Sequence, residues 1–343
     1  MHIPSDLRDW LLTSDPAIRY QTLRDLTNAP PEELAAARAR IETEGWGARL
    51  LALNDPDGQW DGGACFPGPS QYDKSIPGQP WTSTLPVLQL LQEFGIDPTT
   101  PRLRKITAQV RHNCHWEHDN QPFFEGEVEP CINGRVVTLG VYFGGPIGID
   151  VTPIVHSLLA EQIEDGGWNC ETENGSTVSS FATTLNVLEG LLAYEQALTQ
   201  NQLPATPIPI DPHELTQARR RAEEYLLTRH LFRRLSTGAV VDPEWLQFSF
   251  PVRWRYDILR ALDYFRLSSL TTNTPPDPRL HEAIEILRNK QQRNTADPSG
   301  AWLLENTHRG KSPFPLEDGD HQLSRWNTLR ALRVLHWYDS HQT

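Results

Sequence analysis

The chain has 343 residues, 38% of them hydrophobic and 22% charged, which is a globular composition with enough length for a sizeable core and none of the bias of a disordered or fibrous sequence. A formal net charge of −13 argues against nucleic acid or an anionic membrane surface as a general partner. No run approaches the ~20 apolar residues of a transmembrane segment, and the first residues lack a signal-peptide pattern, so a cytoplasmic location is expected.

Apolar residues three and four apart recur along the whole chain and predict helices in pairs. The first pair is expected over 5–13 and 16–27. After it, a polar helix with a narrow apolar stripe repeatedly precedes a more apolar one. These pairs fall at 32–52 and 84–94, 100–113 and 132–143, 151–163 and 177–197, 213–231 and 253–267, and 278–291 and 325–339. Ser83 or Thr84 can cap the helix that begins near Leu85, and Gly95 suits its left-handed end. Asn174-Gly175-Ser176-Thr177 offers caps for the helix at 177–197. Val136-Val137-Thr138-Leu139 comes nearest to a strand, but its neighbours keep the helical period. Pro-rich stretches at 203–212 and 272–278 read as connectors, because the pairing continues across them. The fold class is therefore all-α, in one domain over 1–343, with six pairs of about 57 residues each.

Two short motifs repeat within this pattern. Gly-x-Trp occurs at Gly58-Gln59-Trp60, Gly166-Gly167-Trp168 and Gly300-Ala301-Trp302, the last preceded by Ser299. Degenerate copies are Phe123-Phe124-Glu125-Gly126 and Asp242-Pro243-Glu244-Trp245. A buried Trp wedge is the expected role. Leu-Arg-x-Leu occurs at Leu23-Arg24-Asp25-Leu26, Leu259-Arg260-Ala261-Leu262 and Leu329-Arg330-Ala331-Leu332.

On these residues the chain resembles the terpenoid cyclase and protein prenyltransferase superfamily. Gln162 with Gly167-Trp168, and Gln291 with Gly300 and Trp302, are similar to the QW motif of squalene cyclases. The resemblance implies an (α/α)6 toroid of six inner and six outer helices around a cavity for a small-molecule ligand. It further implies an isoprenoid or similar apolar substrate with an anionic or polar end, undergoing cyclisation, isomerisation or transfer. Two departures stand out. The Asp-x-Asp-Asp acid motif is missing, its nearest imitation being Glu317-Asp318-Gly319-Asp320, and the length suffices for one barrel, not two. The resemblance also implies a zinc site of the Asp-x-Cys…His kind, approximated by Glu129-Pro130-Cys131 and His321. A non-catalytic toroid that binds a small molecule or peptide, and a carbohydrate-active barrel with paired carboxylates, are the alternatives.

Candidate site residues gather where the second helix of each pair begins. Glu129 and Glu171 are candidate general acids, within a cluster that includes Glu125, Glu127 and Glu173; crowded carboxylates raise one another's pKa. Cys131 and Cys170 occupy matching positions and are candidate catalytic thiols, or zinc ligands together with Glu129, His118, His308 or His321. Asn133, Arg135, Asn174, Arg253, Arg255 and Arg325 are expected to hold an anionic group near helix N-termini, and Trp81, Trp254 and Trp326 to line the pocket. Cys65 and Cys114 complete a set of four cysteines with no C-x-x-C pair, so a zinc ribbon is excluded. Nucleotide-binding, serine-hydrolase and zincin motifs are missing as well.

Overall fold

A computed structural model describes residues 3–71, 73–291 and 300–341. The described chain is mostly helical, as the periodicity predicts. The helices are α1 (Ser5–Leu12), α2 (Pro16–Leu26), α3 (Pro31–Thr43), α4 (Gly45–Ala52), α5 (Thr84–Phe94), α6 (Pro101–Asn113), α7 (Pro130–Leu139), α8 (Thr152–Ala160), α9 (Phe181–Thr199), α10 (Pro212–Leu227), α11 (Ile258–Thr272), α12 (His281–Asn289) and α13 (Arg325–Ser340). A two-residue antiparallel pair, β1 (Trp302–Leu303) with β2 (Leu323–Ser324), is the sheet among the described residues. No described helix is long and apolar enough to cross a membrane.

Side-chain caps set six of the thirteen described helix starts. Asp15, Thr100, Ser180, Asp211, Asp257 and Ser324 each accept a backbone N–H from the first turn of the helix that follows. These caps account for two displaced boundaries. The helix expected from 177 begins at Phe181, because Ser180 caps it in place of the 174–177 cluster. The helix expected from 253 begins at Ile258, because Arg253 has a positive φ of 62° and Asp257 caps the turn. The helix expected over 32–52 divides into α3 and α4 at Gly45, where Asp15 also accepts the Trp46 N–H at 2.7 Å. Ser83 stands at the start of α5 but donates to the Cys65 carbonyl instead of capping, while Gly95 ends α5 in the left-handed conformation.

Helix packing follows the chain. α5 lies on α7, α7 on α9, α9 on α11, α11 on α13 and α13 on α2, so the C-terminal helix meets the N-terminal part of the chain. α7 and α9 approach most closely. A Cβ on Gly134 would lie 2.4 Å from the Asn186 carbonyl oxygen, and one on Gly190 would lie 2.4 Å from the Gly134 carbonyl oxygen. One hydrophobic core runs through the described helices and includes Trp60, Trp168, Trp302 and Trp326.

The Gly-x-Trp loops are structural, and their three copies are built alike. The indole N–H of Trp60, Trp168 and Trp302 donates to the carbonyl of Leu50, Leu158 and Leu287 on the helix before the loop. Their backbone N–H groups donate to the hydroxyls of Thr84, Thr184 and Thr328 on the helix after it. Gln162 and Gln291 bridge to the carbonyls of Gly166 and Gly300. Each loop thereby pins one helix to the next. Ser299 lies outside the described residues. Phe123–Glu125 and Pro243–Leu246 are short 3-10 turns without this bonding pattern, so the degenerate copies share position and not geometry. Removing one buried hydroxyl leaves a buried N–H unpaired, and Thr184→Val is expected to destabilise the fold by about 1–3 kcal/mol. Denaturant unfolding measures this, and the exposed Thr199→Val serves as the near-neutral control.

Candidate functional site

Two separate groups of polar side chains have the density of a site. The first is internal. A cavity of about 370 Å³ is lined by residues of α2, α3, α5, α7, α9, α11 and α13. Its walls carry seven arginines, Arg24, Arg38, Arg135, Arg260, Arg266, Arg330 and Arg333, against three carboxylates, Glu93, Glu189 and Asp263. The volume falls in the range of small-ligand sites.

The charges are held in an ordered network. Glu189 on α9 receives Arg135 Nη1 at 2.8 Å from α7, and Arg260 Nη2 at 2.7 Å and Nε at 2.8 Å from α11. Asn186, one turn earlier, accepts from the same two guanidiniums at 2.6 and 2.7 Å. Burial pushes the Glu189 carboxyl up, and Arg135 opposes it. Asp263 pairs with Arg266 Nε at 2.7 Å and with Arg333 from α13. Burial would raise its carboxyl, but these two guanidiniums hold it well below the usual carboxylate range. Two polar atoms on the cavity wall have no hydrogen-bond partner among the described residues, the Glu93 Oε2 and the indole Nε1 of Trp326. Burial raises the Glu93 carboxyl as well.

The second group lies where α7 and α9 begin. The Sγ atoms of Cys131 and Cys170 are 2.8 Å apart, and the Cys131 thiol donates to Glu129 Oε2 at 3.4 Å. Glu129 is exposed and the two cysteines are half-buried. Within the pair, hydrogen bonding to Cys170 raises Cys131 and lowers Cys170, so Cys170 is the more readily ionised thiol.

The expected site residues divide between these groups and the surrounding scaffold. Arg135 and Trp326 reach the cavity. Trp326 is stacked on Phe250 at 4.4 Å and on Phe94 at 5.6 Å, within its wall. Glu129, Cys131 and Cys170 come together, as their matching positions predict. Asn133 is buried as a bracket for the preceding loop, donating to the Glu127 carbonyl and accepting its N–H at 2.8 Å. Glu171 and Asn174 bond each other at 2.7 Å on an exposed loop. Arg253, Trp254 and Arg255 precede α11 instead of starting it. Trp254 is 41% exposed and donates to Gln79, while Arg255 lies over the Trp254 ring. Arg253 is buried over the Trp81 ring, where burial lowers its guanidinium to about 10, and its Nη1 has no hydrogen-bond partner among the described residues. Trp81 itself donates to the Arg309 carbonyl at 3.1 Å. Arg325 covers Trp10. Of the proposed histidine ligands, none belongs to the cysteine cluster.

The cavity therefore sits deeper along the helices than their starts, where the anion-holding residues were expected. The sequence carried a signal for it. Arg24, Arg260 and Arg330, three of its seven arginines, are the Arg of the three Leu-Arg-x-Leu repeats. No protein-family model matches the chain, and no curated protein matches it.

Glu317, the first residue of the segment that imitates the cyclase acid motif, holds the start of α13. It accepts from Ser324 Oγ at 2.6 Å and from the Trp326 N–H at 3.2 Å, and burial pushes its carboxyl up to about 7 from an ordinary 4.5. A carboxyl whose pKa is raised on folding binds its proton more tightly when folded. Stability is then lost as pH rises from about 4.5 through about 7. Glu317→Gln is expected to flatten this part of the profile, gaining stability relative to the parent chain at pH 8 compared with pH 5. Urea midpoints at the two pH values measure the effect.

Proposed function

We propose that the chain closes as an (α/α)6 toroid and binds a small molecule through an anionic or polar end in the central cavity. The observation that carries this reading is one cavity of ligand size whose wall presents seven guanidiniums and three carboxylates, with Asp25 and Asp257 pairing Arg24, Arg333 and Arg330 behind it. Buried arginines present fixed, planar donors that match carboxylate and phosphate oxygens. The toroid reading is supported by the order of helix packing, which returns from α13 to α2. It is also supported by the third Gly-x-Trp loop, where a Cβ on Gly300 would lie 3.7 Å from Leu7 on α1.

A second, more open depression of about 330 Å³ shares Tyr20 and Arg38 with the first and is walled by Leu34, Ala35, Ala39 and Glu42 of α3 and by Asp97 and Thr100. The second reading is catalytic, an acid-initiated cyclisation, isomerisation or transfer. It rests on Glu93, a buried carboxyl with a raised pKa and an unpartnered oxygen on the cavity wall. Paired-carboxylate chemistry on a carbohydrate has less support, because Glu189 and Asp263 are each engaged by two guanidiniums.

Calorimetric titration with inorganic diphosphate and with a short prenyl diphosphate tests the reading. Both are expected to bind, more weakly as salt rises, with the prenyl compound tighter. Arg24→Gln and Arg38→Gln at the rim are expected to weaken binding about tenfold or more, equivalent to ~1.4 kcal/mol each. The exposed Arg111→Gln on α6 is expected to leave it unchanged. Failure of both compounds to bind the folded chain would contradict the reading.

A further inference from the structure

We infer that Glu129, Cys131 and Cys170 form a binding site for a thiophilic divalent cation of the zinc class, separate from the central cavity. The three side chains each offer one ligand atom, and these atoms all lie within 4.8 Å of one another. They come from two segments distant in sequence. Glu129 and Cys131 flank Pro130 at the start of α7, and Cys170 opens the short turn before α9. The close approach of α7 to α9 across Gly134 and Gly190 brings the two starts together.

Distances and donor chemistry fit a tetrahedral ion. Zinc holds thiolate sulfur at about 2.3 Å and carboxylate oxygen at about 2.0–2.2 Å, which places an oxygen and a sulfur roughly 3.5 Å apart and two sulfurs roughly 3.8 Å apart. Glu129 Oε2 already lies 3.4 Å from the Cys131 sulfur. The two sulfurs, at 2.8 Å, have to separate by about 1 Å, within reach of side-chain rotation. Two soft sulfur donors select zinc over magnesium or calcium. Both thiol protons pass to solvent as the ion binds. Cys170 also receives a hydrogen bond from Thr183 Oγ1 at 3.5 Å, an outer contact that orients the sulfur.

Three protein ligands leave a fourth position. Glu129 is exposed and the cysteines are half-buried, so water or an incoming donor atom can fill it. An open position of this kind marks a reactive site more than a closed structural one. The same two thiols can alternatively be joined as a disulfide, and the experiment separates the two outcomes.

The test uses the full chain, purified under reductant, stripped by a chelator and titrated with cobalt(II). The expected result is a sulfur-to-cobalt charge-transfer band that saturates at about one ion per chain and is bleached by added zinc. Cys131→Ser and Cys170→Ser are each expected to lose most of the band and to weaken binding at least ~10-fold. Glu129→Gln should weaken binding with the band retained, whereas Cys65→Ser and Cys114→Ser should match the parent chain. Circular dichroism confirms that each serine variant keeps its helix content. The inference is overturned by a reduced chain that shows no band, by a band unaltered in both Cys131→Ser and Cys170→Ser, or by a Cys131–Cys170 disulfide that persists in reductant without cobalt.

Discussion

Arg135 and Arg260 reach Glu189 from two different helices, and the mutual placement of α7, α9 and α11 depends on that pairing. Asn186 reinforces it by accepting from both guanidiniums. Charges taken out of water are costly unless each is matched, so the positions of these side chains are tightly restricted. A second clamp, Asp263 between Arg266 and Arg333, ties α11 to α13 in the same way. Arg333 also reaches Gln21 at 3.2 Å, which extends the network to α2. The packing of the helices around the cavity is thus inseparable from its charge.

The pairing leaves an imbalance, and the imbalance is what gives the cavity a chemical character. Seven guanidiniums surround it with three carboxylates on the wall and two more behind it, Asp25 against Arg24 and Arg333 and Asp257 against Arg330, in a chain whose overall charge is strongly negative. Long-range attraction of an anion is therefore weak, and under the proposed function recognition would depend on short-range contacts inside the cavity. Such an arrangement suits a ligand that is selected by fit and hydrogen bonding more than by steering. Outside the cavity, the thiol and carboxylate cluster at the starts of α7 and α9 has a different hardness and a different degree of exposure. The two groups would take different ligands.

Helix existence and the role of the Gly-x-Trp loops were legible in the sequence because both rest on local patterns. The 84–94 helix carries a period and a terminal glycine, and it forms at those residues although the expected Ser83 or Thr84 cap is not made. The convergence of Cys131 and Cys170 followed from aligning one helix pair with the next. The cavity was harder to read. Arg24, Arg260 and Arg330 were visible as a repeat, but an arginine in an amphipathic helix ordinarily faces solvent. Only the partners explain the burial of Arg260 and Arg330, and these, Glu189 and Asp257, occur at no shared spacing from the two arginines. The start of α11 was misplaced because Arg253, at a positive φ, interrupts a run whose apolar period continues through it.

A double-mutant cycle on Glu189→Gln and Arg260→Gln tests most directly whether paired charges hold the centre. Glu189→Gln leaves two buried guanidiniums without their carboxylate and is expected to cost about 3–5 kcal/mol in denaturant unfolding, whereas Arg260→Gln leaves Glu189 with Arg135 and is expected to cost less. The double change is expected to cost less than their sum by about 2 kcal/mol or more. Energies that add to within about 0.5 kcal/mol would mean the two side chains do not depend on each other, and the charged centre would then be incidental to the fold.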